Sequence, residues 1–144
     1  MLRAITLIFI AMSSGLLSGQ TIHVRLLDGR TAKPVQDVYI TAYGKGWDQD
    51  KLPVQTESNG FTVEVGTSQT IYVLIAKLDH QPKEWSDYAI CQPNHDDAFI
   101  PQVAAILKTG VVSKNTCGKE TVLPAPGDLI LFVRPLHWWE RPIV

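Results

Sequence analysis

Short segments in which apolar and polar residues alternate are the feature that most constrains the fold of this 144-residue chain. Successive side chains of a β-strand point to opposite faces, so residues 21–26 and 61–65 are predicted to be strands with one buried face. Residues 70–76 and 129–133 are apolar at nearly every position, which predicts central strands covered on both sides. The chain is therefore expected to build its core from β-sheet.

Turn-forming residues separate the remaining strand candidates. Residues 38–43 are β-branched and aromatic and end in a glycine-containing segment, so they are predicted to form a strand. Residues 52–56 are predicted to be a short edge strand, because Pro53 has no N–H to donate to a ladder. The turn at 58–60 then predicts a hairpin leading into the alternating segment that follows.

One short helix is predicted between the two apolar segments. Apolar residues recur at helical spacing over about residues 98–109, and Gly110 can end the helix. Val111 and Val112 are candidates for the start of a further strand. Six or seven short strands with one short helix indicate a mainly β protein, a single immunoglobulin-like β-sandwich.

The first nineteen residues have the organisation of a secretory signal peptide. Arg3 precedes an apolar run at residues 4–12, and small residues follow at 13–19. The apolar run is much shorter than the roughly 20 residues that a membrane-spanning helix needs. Residues 1–19 are therefore predicted to direct export and to be removed, with no stable membrane insertion afterwards.

Cleavage of this signal defines the predicted domain. We expect the cut after Gly19, with Gly15 and Ser18 as alternative sites. Gln20 would then come first, and it cannot carry the lipid that a lipoprotein signal attaches to a Cys thiol. Residues 20–144, 125 in number, are predicted to form one β-sandwich domain in the periplasm, on the cell surface or in the medium.

Charge and known catalytic patterns exclude several function classes. After loss of Arg3 the domain has 12 basic and 14 acidic residues, interspersed, which argues against nucleic acid and anionic membranes as partners. The chain contains no nucleophile-elbow, zinc-protease or phosphate-loop motif. Asn94–Asp97 brings together ligand types that a cation uses, but a solvated loop with a helix-capping Asp is the simpler interpretation. No metal and no cofactor is predicted.

The two cysteines, Cys91 and Cys117, both lie in the exported part of the chain. An even number of cysteines in an oxidising compartment predicts a disulfide. Closing this loop would stabilise the fold by roughly 3.5 kcal/mol on the chain-entropy estimate. Two buried thiols, or a reactive Cys with a His base, are the alternatives.

Three segments of the N-terminal half carry a family resemblance. Residues 24–29, 33–38 and 56–63 follow the order strand, Pro-Val turn, strand, Thr-x-x-x-Gly-Phe. This pattern resembles the carboxypeptidase regulatory-like domain, whereas the part of the chain from Tyr88 onward resembles no family of known function. The resemblance implies a transthyretin-like β-sandwich, appended to exported bacterial proteins and without catalytic residues of its own. It therefore implies a non-enzymatic binding or structural role at the bacterial envelope.

The same opening resembles two enzyme families. Residues 21–24 with Lys33-Pro34 resemble the start of the hydroxyisourate hydrolases, in which a His of the first strand is catalytic, and His23 occupies the matching position. Those hydrolases end in Tyr-Arg-Gly-Ser, whereas this chain ends in Trp-Glu-Arg-Pro-Ile-Val. Intradiol dioxygenases share the strand-Pro-Val-strand opening, but the Tyr and His context that holds their iron has no counterpart here. A transthyretin-related hydrolase remains an alternative function.

Tryptophans in predicted loops are the candidate ligand-binding residues: Trp47, Trp85, Trp138 and Trp139. Indoles at one end of a sandwich suit stacking on sugar rings or anchoring a protein partner, so a carbohydrate-binding module is a further alternative. The simpler interpretation, which we favour, is that Trp138 and Trp139 cover an open edge of the sandwich together with the apolar tail 142–144. Adjacent residues on an extended chain face opposite ways, so one indole could pack while the other binds.

Overall fold

A computed structural model describes residues 20–45, 49–79, 86–93 and 98–140 of the chain. The predicted signal peptide and the tail 142–144 lie outside these residues. The described part contains nine strands, one α-helix and one 3₁₀ turn. They are β1 (Thr21–Asp28), β2 (Val38–Lys45), β3 (Gln49–Leu52), β4 (Val54–Glu57), β5 (Gly60–Glu64), β6 (Ile71–Lys77), β7 (Tyr88–Ile90), α1 (Val103–Thr109), β8 (Val111–Val112), β9 (Asp128–Pro135) and the turn Trp138–Glu140.

The strands form two sheets that pack around one hydrophobic core. The larger sheet has the order β4-β5-β1-β9, with β7 and β8 both pairing with the far side of β9. The smaller sheet has the order β3-β2-β6. The buried residues of the core come from both sheets, among them Ile22, Ile40 and Leu129. The predicted mainly β sandwich with one short helix is confirmed.

Pro53 marks the point where the chain changes sheets. The residues before it form β3, which pairs with β2, and those after it form β4, which pairs with β5. The prediction of one edge strand over 52–56 is therefore corrected to two edge strands, one in each sheet. Pro53 suits the crossing because it has no N–H that a ladder would need, while its carbonyl still accepts a hydrogen bond from Glu64 N at 3.0 Å.

The two apolar segments occupy different positions in their sheets. β9 is central, as predicted: it has strand partners on both sides, and its residues 129–133 are at most 1% exposed. β6 was predicted to be central as well, and this is wrong, because among the described strands it pairs with β2 alone. Its outward side chains are apolar for another reason: Tyr72 and Leu74 line a cleft between the two sheets.

The helix α1 begins later than the predicted start near residue 98. The preceding residues run extended along β6, with Ile71 N donating to Pro101 O at 3.2 Å and Val103 N donating to Gln69 O at 2.9 Å. α1 then buries Val103 and Ile106 against the core, and Gly110, at φ 77°, ends it as predicted. The predicted strand at Val111–Val112 is present and pairs with β9.

A second, smaller core lies on the outer face of the larger sheet. Its buried members are Leu27, Cys91, Ile130 and Phe132. Cys91 is bonded to Cys117 with an S–S distance of 2.05 Å, so the predicted disulfide is confirmed. A buried disulfide indicates an oxidising environment. In the described ranges, no helix is both long enough and apolar enough to cross a membrane.

Candidate functional site

The most exposed aromatic residues of the described chain follow β9. We call residues 137–140, which comprise His137 and the 3₁₀ turn, the aromatic turn. The side chains of Trp138 and Trp139 are 81% and 64% exposed, so the prediction that they cover an edge of the sandwich is wrong. Their rings meet edge to face, with centroids 5.8 Å apart, and the His137 ring stacks on Trp139 at 4.4 Å.

An ion pair holds the aromatic turn against the end of β9. Arg134 donates from Nη1 and Nη2 to the two carboxylate oxygens of Glu140, both at 2.7 Å. The same carboxylate accepts a hydrogen bond from His137 N at 3.1 Å, and Glu140 N donates to His137 O at 3.0 Å. Bidentate arginine–carboxylate pairs fix geometry as well as adding energy. The turn is thus braced in a conformation that presents both indoles to solvent.

Arg134 changes the protonation behaviour of its partner. The hydrogen bonds from its guanidinium, helped by that from His137 N, lower the pKa of Glu140 from 4.5 to about 2. The same hydrogen bonds raise the pKa of Arg134. A carboxyl group whose pKa is depressed in the folded state stabilises that state at pH values above its unfolded pKa. This stabilisation is lost as the pH falls through the folded pKa.

The aromatic turn is therefore expected to be released by acid. The near-ultraviolet circular dichroism of the indoles should change as the pH falls from about 4.5 towards about 2. Glu140→Gln should already have the acid form at neutral pH and lose the transition. Glu64→Gln, an exposed acid on β5, is the control and should titrate like the wild type. An unchanged acid transition in Glu140→Gln would contradict this assignment, provided that far-ultraviolet dichroism reports an intact fold.

Two cavities flank the base of the aromatic turn. One, of about 470 Å³, is lined by polar groups that include Asp28, Arg30 and His137. The other, of about 500 Å³, is the cleft between β6 and β7, and its lining combines apolar side chains such as Phe99 with polar ones such as Gln92. Arg134 and Leu136 line both cavities. The aromatic turn consequently stands between two recesses that each combine polar and apolar groups.

Tyrosines give the cleft between the sheets its polar contacts. Burial raises the pKa of Tyr72, with a smaller contribution from Tyr43. Burial also raises the pKa of Tyr88, helped by the charge of Asp87. Both hydroxyls therefore stay protonated at neutral pH. Each can donate a hydrogen bond to a group that enters the cleft.

His23, the position matching the catalytic His of the hydroxyisourate hydrolases, lies on an exposed part of β1. Its Nδ1 is 3.4 Å from Thr62 Oγ1, and the Thr62 hydroxyl donates to Glu57 at 2.6 Å. His23 lines neither of the two cavities beside the aromatic turn. Among the residues that the structure describes, no group of three or more His, Cys, Asp or Glu side chains is arranged to hold a metal ion.

The structure brings together only part of the predicted binding set. Trp138 and Trp139 are adjacent and exposed, whereas Trp47, Trp85 and the loop 94–97 lie outside the described residues. Sequence reasoning missed Arg134 and Glu140, although both flank the tryptophan pair. Arg134 lies near the end of β9 and Glu140 in the 3₁₀ turn, so the pair spans two different elements and carries no periodic signal that would have revealed it.

Comparison with protein-family models, with curated proteins and with solved structures finds no match to this chain. The resemblance to the carboxypeptidase regulatory-like domain therefore stays a prediction. The function has to be argued from the exposed indoles, their ion pair and the two cavities beside them.

Proposed function

We propose that this chain is an exported, non-enzymatic β-sandwich domain that binds a protein or glycan surface through its aromatic turn. The observation that carries the proposal is the exposure of two adjacent indoles, Trp138 and Trp139, on a turn braced by a bidentate ion pair. Large apolar side chains held in solvent mark binding surfaces, and tryptophan is the residue most enriched among the dominant contacts of interfaces.

The bracing also supports binding rather than catalysis. Arg134 and Glu140, two charged residues that flank the indoles, are both used in holding the turn. A rigid aromatic surface loses little conformational entropy when a partner docks, because its side chains are already positioned. The geometry therefore suits a recognition surface.

Export is supported by two independent features. The first nineteen residues have the pattern of a signal peptide, and the Cys91–Cys117 disulfide requires an oxidising compartment to persist. The resemblance to the carboxypeptidase regulatory-like domain implies a location at the bacterial envelope. We propose an envelope location on these grounds.

The test compares the wild type with the double variant Trp138→Ala/Trp139→Ala. Labelled protein is applied to an array of glycans and, separately, to immobilised exported proteins of the source organism. We expect the wild type to be retained in at least one arm, and the double variant to bind at least about tenfold more weakly, since a central tryptophan contributes about 2 kcal/mol or more.

The control variant is Leu123→Ala, which removes an even more exposed apolar side chain, 93% accessible, from a different segment. It should bind like the wild type. Absence of wild-type retention in both arms would refute the proposal. So would equal retention of the wild type and the double tryptophan variant.

A further inference from the structure

The cavity beside the aromatic turn that Asp28, Arg30 and His137 line combines apolar surface with a few polar side chains, as ligand sites for small molecules do. We propose that the cavity lined by Asp28, Arg30 and His137 binds the hydroxyl groups of a neutral glycan chain that packs against the exposed surfaces of Trp139 and Trp138. This inference rests on the proposed binding function and names its ligand class. Its support comes from the continuity of the cavity with the aromatic turn, from the charges around the cavity and from the backbone hydrogen bonds beside it.

The indoles and the cavity form one continuous surface. His137 lines the cavity, and its ring stacks on Trp139 with centroids 4.4 Å apart and planes 4° from parallel. Trp138 then meets Trp139 edge to face. A sugar ring that packs on an exposed indole would therefore lie beside His137, through which the aromatic turn adjoins the cavity. The cavity volume of about 470 Å³ is within the range of small-ligand sites.

The charges around the cavity are balanced. Arg30 is exposed and takes part in no ion pair among the described residues. Asp28 is positioned by its own turn, since its Oδ1 accepts hydrogen bonds from Arg30 N at 2.8 Å and Thr31 N at 3.2 Å. Arg134, the other cation of the lining, is neutralised by Glu140.

This balance favours a neutral ligand rich in hydroxyl groups. A guanidinium only donates hydrogen bonds and a carboxylate only accepts them, whereas a sugar hydroxyl does both. An acidic polymer would meet the carboxylate of Asp28, and a basic one would meet Arg30. A neutral glycan is the class of polymer that satisfies both side chains without repulsion.

The backbone at the cavity disfavours a peptide that binds by adding a strand. Pro135 has no N–H, and its carbonyl accepts from Arg134 Nη1 at 3.3 Å. The carbonyl of Val133 accepts from Gly29 N at 3.0 Å. Strand addition needs unpaired backbone groups along an edge, and these carbonyls are already paired. A ligand can therefore bind here through stacking and through side-chain hydrogen bonds. These are the contacts that a glycan would use.

Titration calorimetry with defined tetrasaccharides tests the inference. The neutral probes are cellotetraose, mannotetraose and N-acetylchitotetraose, and tetragalacturonic acid is the charged comparison. We expect at least one neutral probe to bind, with an affinity that changes less than about twofold between about 50 and about 500 mM NaCl, because no net charge is paired. Binding of tetragalacturonic acid alone, or affinity for neutral probes that collapses with salt, would overturn the inference.

Variants of Arg30 and Trp139 test whether the neutral probe binds at this cavity. Arg30→Ala and Arg30→Gln should each weaken binding of the neutral probe about tenfold, and Trp139→Ala should weaken it at least as much. Lys33→Ala, which removes an exposed cation three residues away and outside the cavity lining, should stay within about twofold of wild type. Thermal unfolding of each variant checks the fold. Unchanged affinity in both Arg30 variants would overturn the subsite.

The outcomes separate this inference from the proposed function. If no neutral tetrasaccharide binds, but exported proteins retain the wild type and lose the double tryptophan variant, the sugar subsite is wrong and the binding function stands. If neither arm retains the wild type, both fail.

Discussion

The double variant Cys91→Ser/Cys117→Ser is expected to have a free energy of unfolding about 3.5 kcal/mol lower than that of the wild type. The disulfide closes a loop between residues 26 apart in sequence, so its loss gives the unfolded chain more conformations. The bond also belongs to the small outer core with Leu27, Ile130 and Phe132. Because a single domain of this size is stable by only about 5 to 15 kcal/mol, the change is large.

The packing around the disulfide leaves no room for a side chain at Gly29. A Cβ at Gly29 would lie 2.6 Å from the Cβ of Cys117 and 2.8 Å from the Sγ of Cys91. The segment that carries Cys117 is tied down further by Asn115, whose Nδ2 donates to Gly29 O at 2.8 Å. The disulfide therefore fastens the segment that carries Cys117 over the outer face of β9. Where this segment contacts residue 29, there is room only for glycine.

Urea denaturation measures this effect. The wild type with reductant should approach the double serine variant, and the variant itself should not respond to reductant, which is the internal control. A difference in unfolding free energy below about 1 kcal/mol between wild type and variant would mean that the disulfide contributes far less than loop closure implies.

Asp87→Ala is expected to lower the free energy of unfolding by about 2 to 3 kcal/mol. Asp87 is 1% exposed, and its Oδ2 accepts a hydrogen bond from Lys77 N at 2.8 Å. Its own N donates to Ile75 O at 2.7 Å, and its carbonyl accepts from Leu136 N at 2.9 Å. The residue thus joins the outer edge of β6 to the chain just beyond β9, and alanine would leave the partly buried N–H of Lys77 without its acceptor.

Chemical denaturation of three variants separates this role from a general effect of mutation. Asp87→Asn keeps an oxygen that can accept from Lys77 N, so it should lose less stability than Asp87→Ala. Glu64→Gln, on the exposed side of β5, should stay within about 0.5 kcal/mol of wild type. If Asp87→Ala were as stable as Glu64→Gln, the contact with Lys77 N would not matter to the fold.

Asp87 also bears on the proposed function. Leu136, which bonds to its carbonyl, lines both cavities and immediately precedes the aromatic turn. The contact that joins the two sheets at this end therefore also places the base of the binding surface. Asp87→Ala is expected to weaken binding in the same arm in which the tryptophan variants lose it.

Local periodicity accounts for most of the fold that was predicted from the sequence. The alternation in 21–26 placed Ile22 and Val24 in the core, and the unbroken apolar run at 129–133 identified the central strand. Such patterns work because side-chain direction in a strand follows from backbone geometry within a few residues. The disulfide was predictable for a different reason, namely that the chain has only two cysteines.

The remaining features depended on contacts that no local pattern records. The apolar run of β6 lies at an edge of its sheet, because a strand that lines a cleft and a strand flanked by neighbours have the same composition. The change of sheet at Pro53 was hidden within a single predicted strand. The helix α1 begins later in the sequence than predicted because Pro101 and Gln102 pair with the chain around β6.

The tryptophan pair shows most clearly which features the sequence determined and which only the tertiary structure decided. The sequence by itself identified Trp138 and Trp139 as either a cover for the sandwich or a binding surface, because an indole suits both roles equally. Only the tertiary structure decided that they are exposed. The ion pair of Arg134 and Glu140 folds the chain back on the end of β9 and turns both rings outward. It also brings His137 to the cavity of Arg30, more than a hundred residues earlier in the chain.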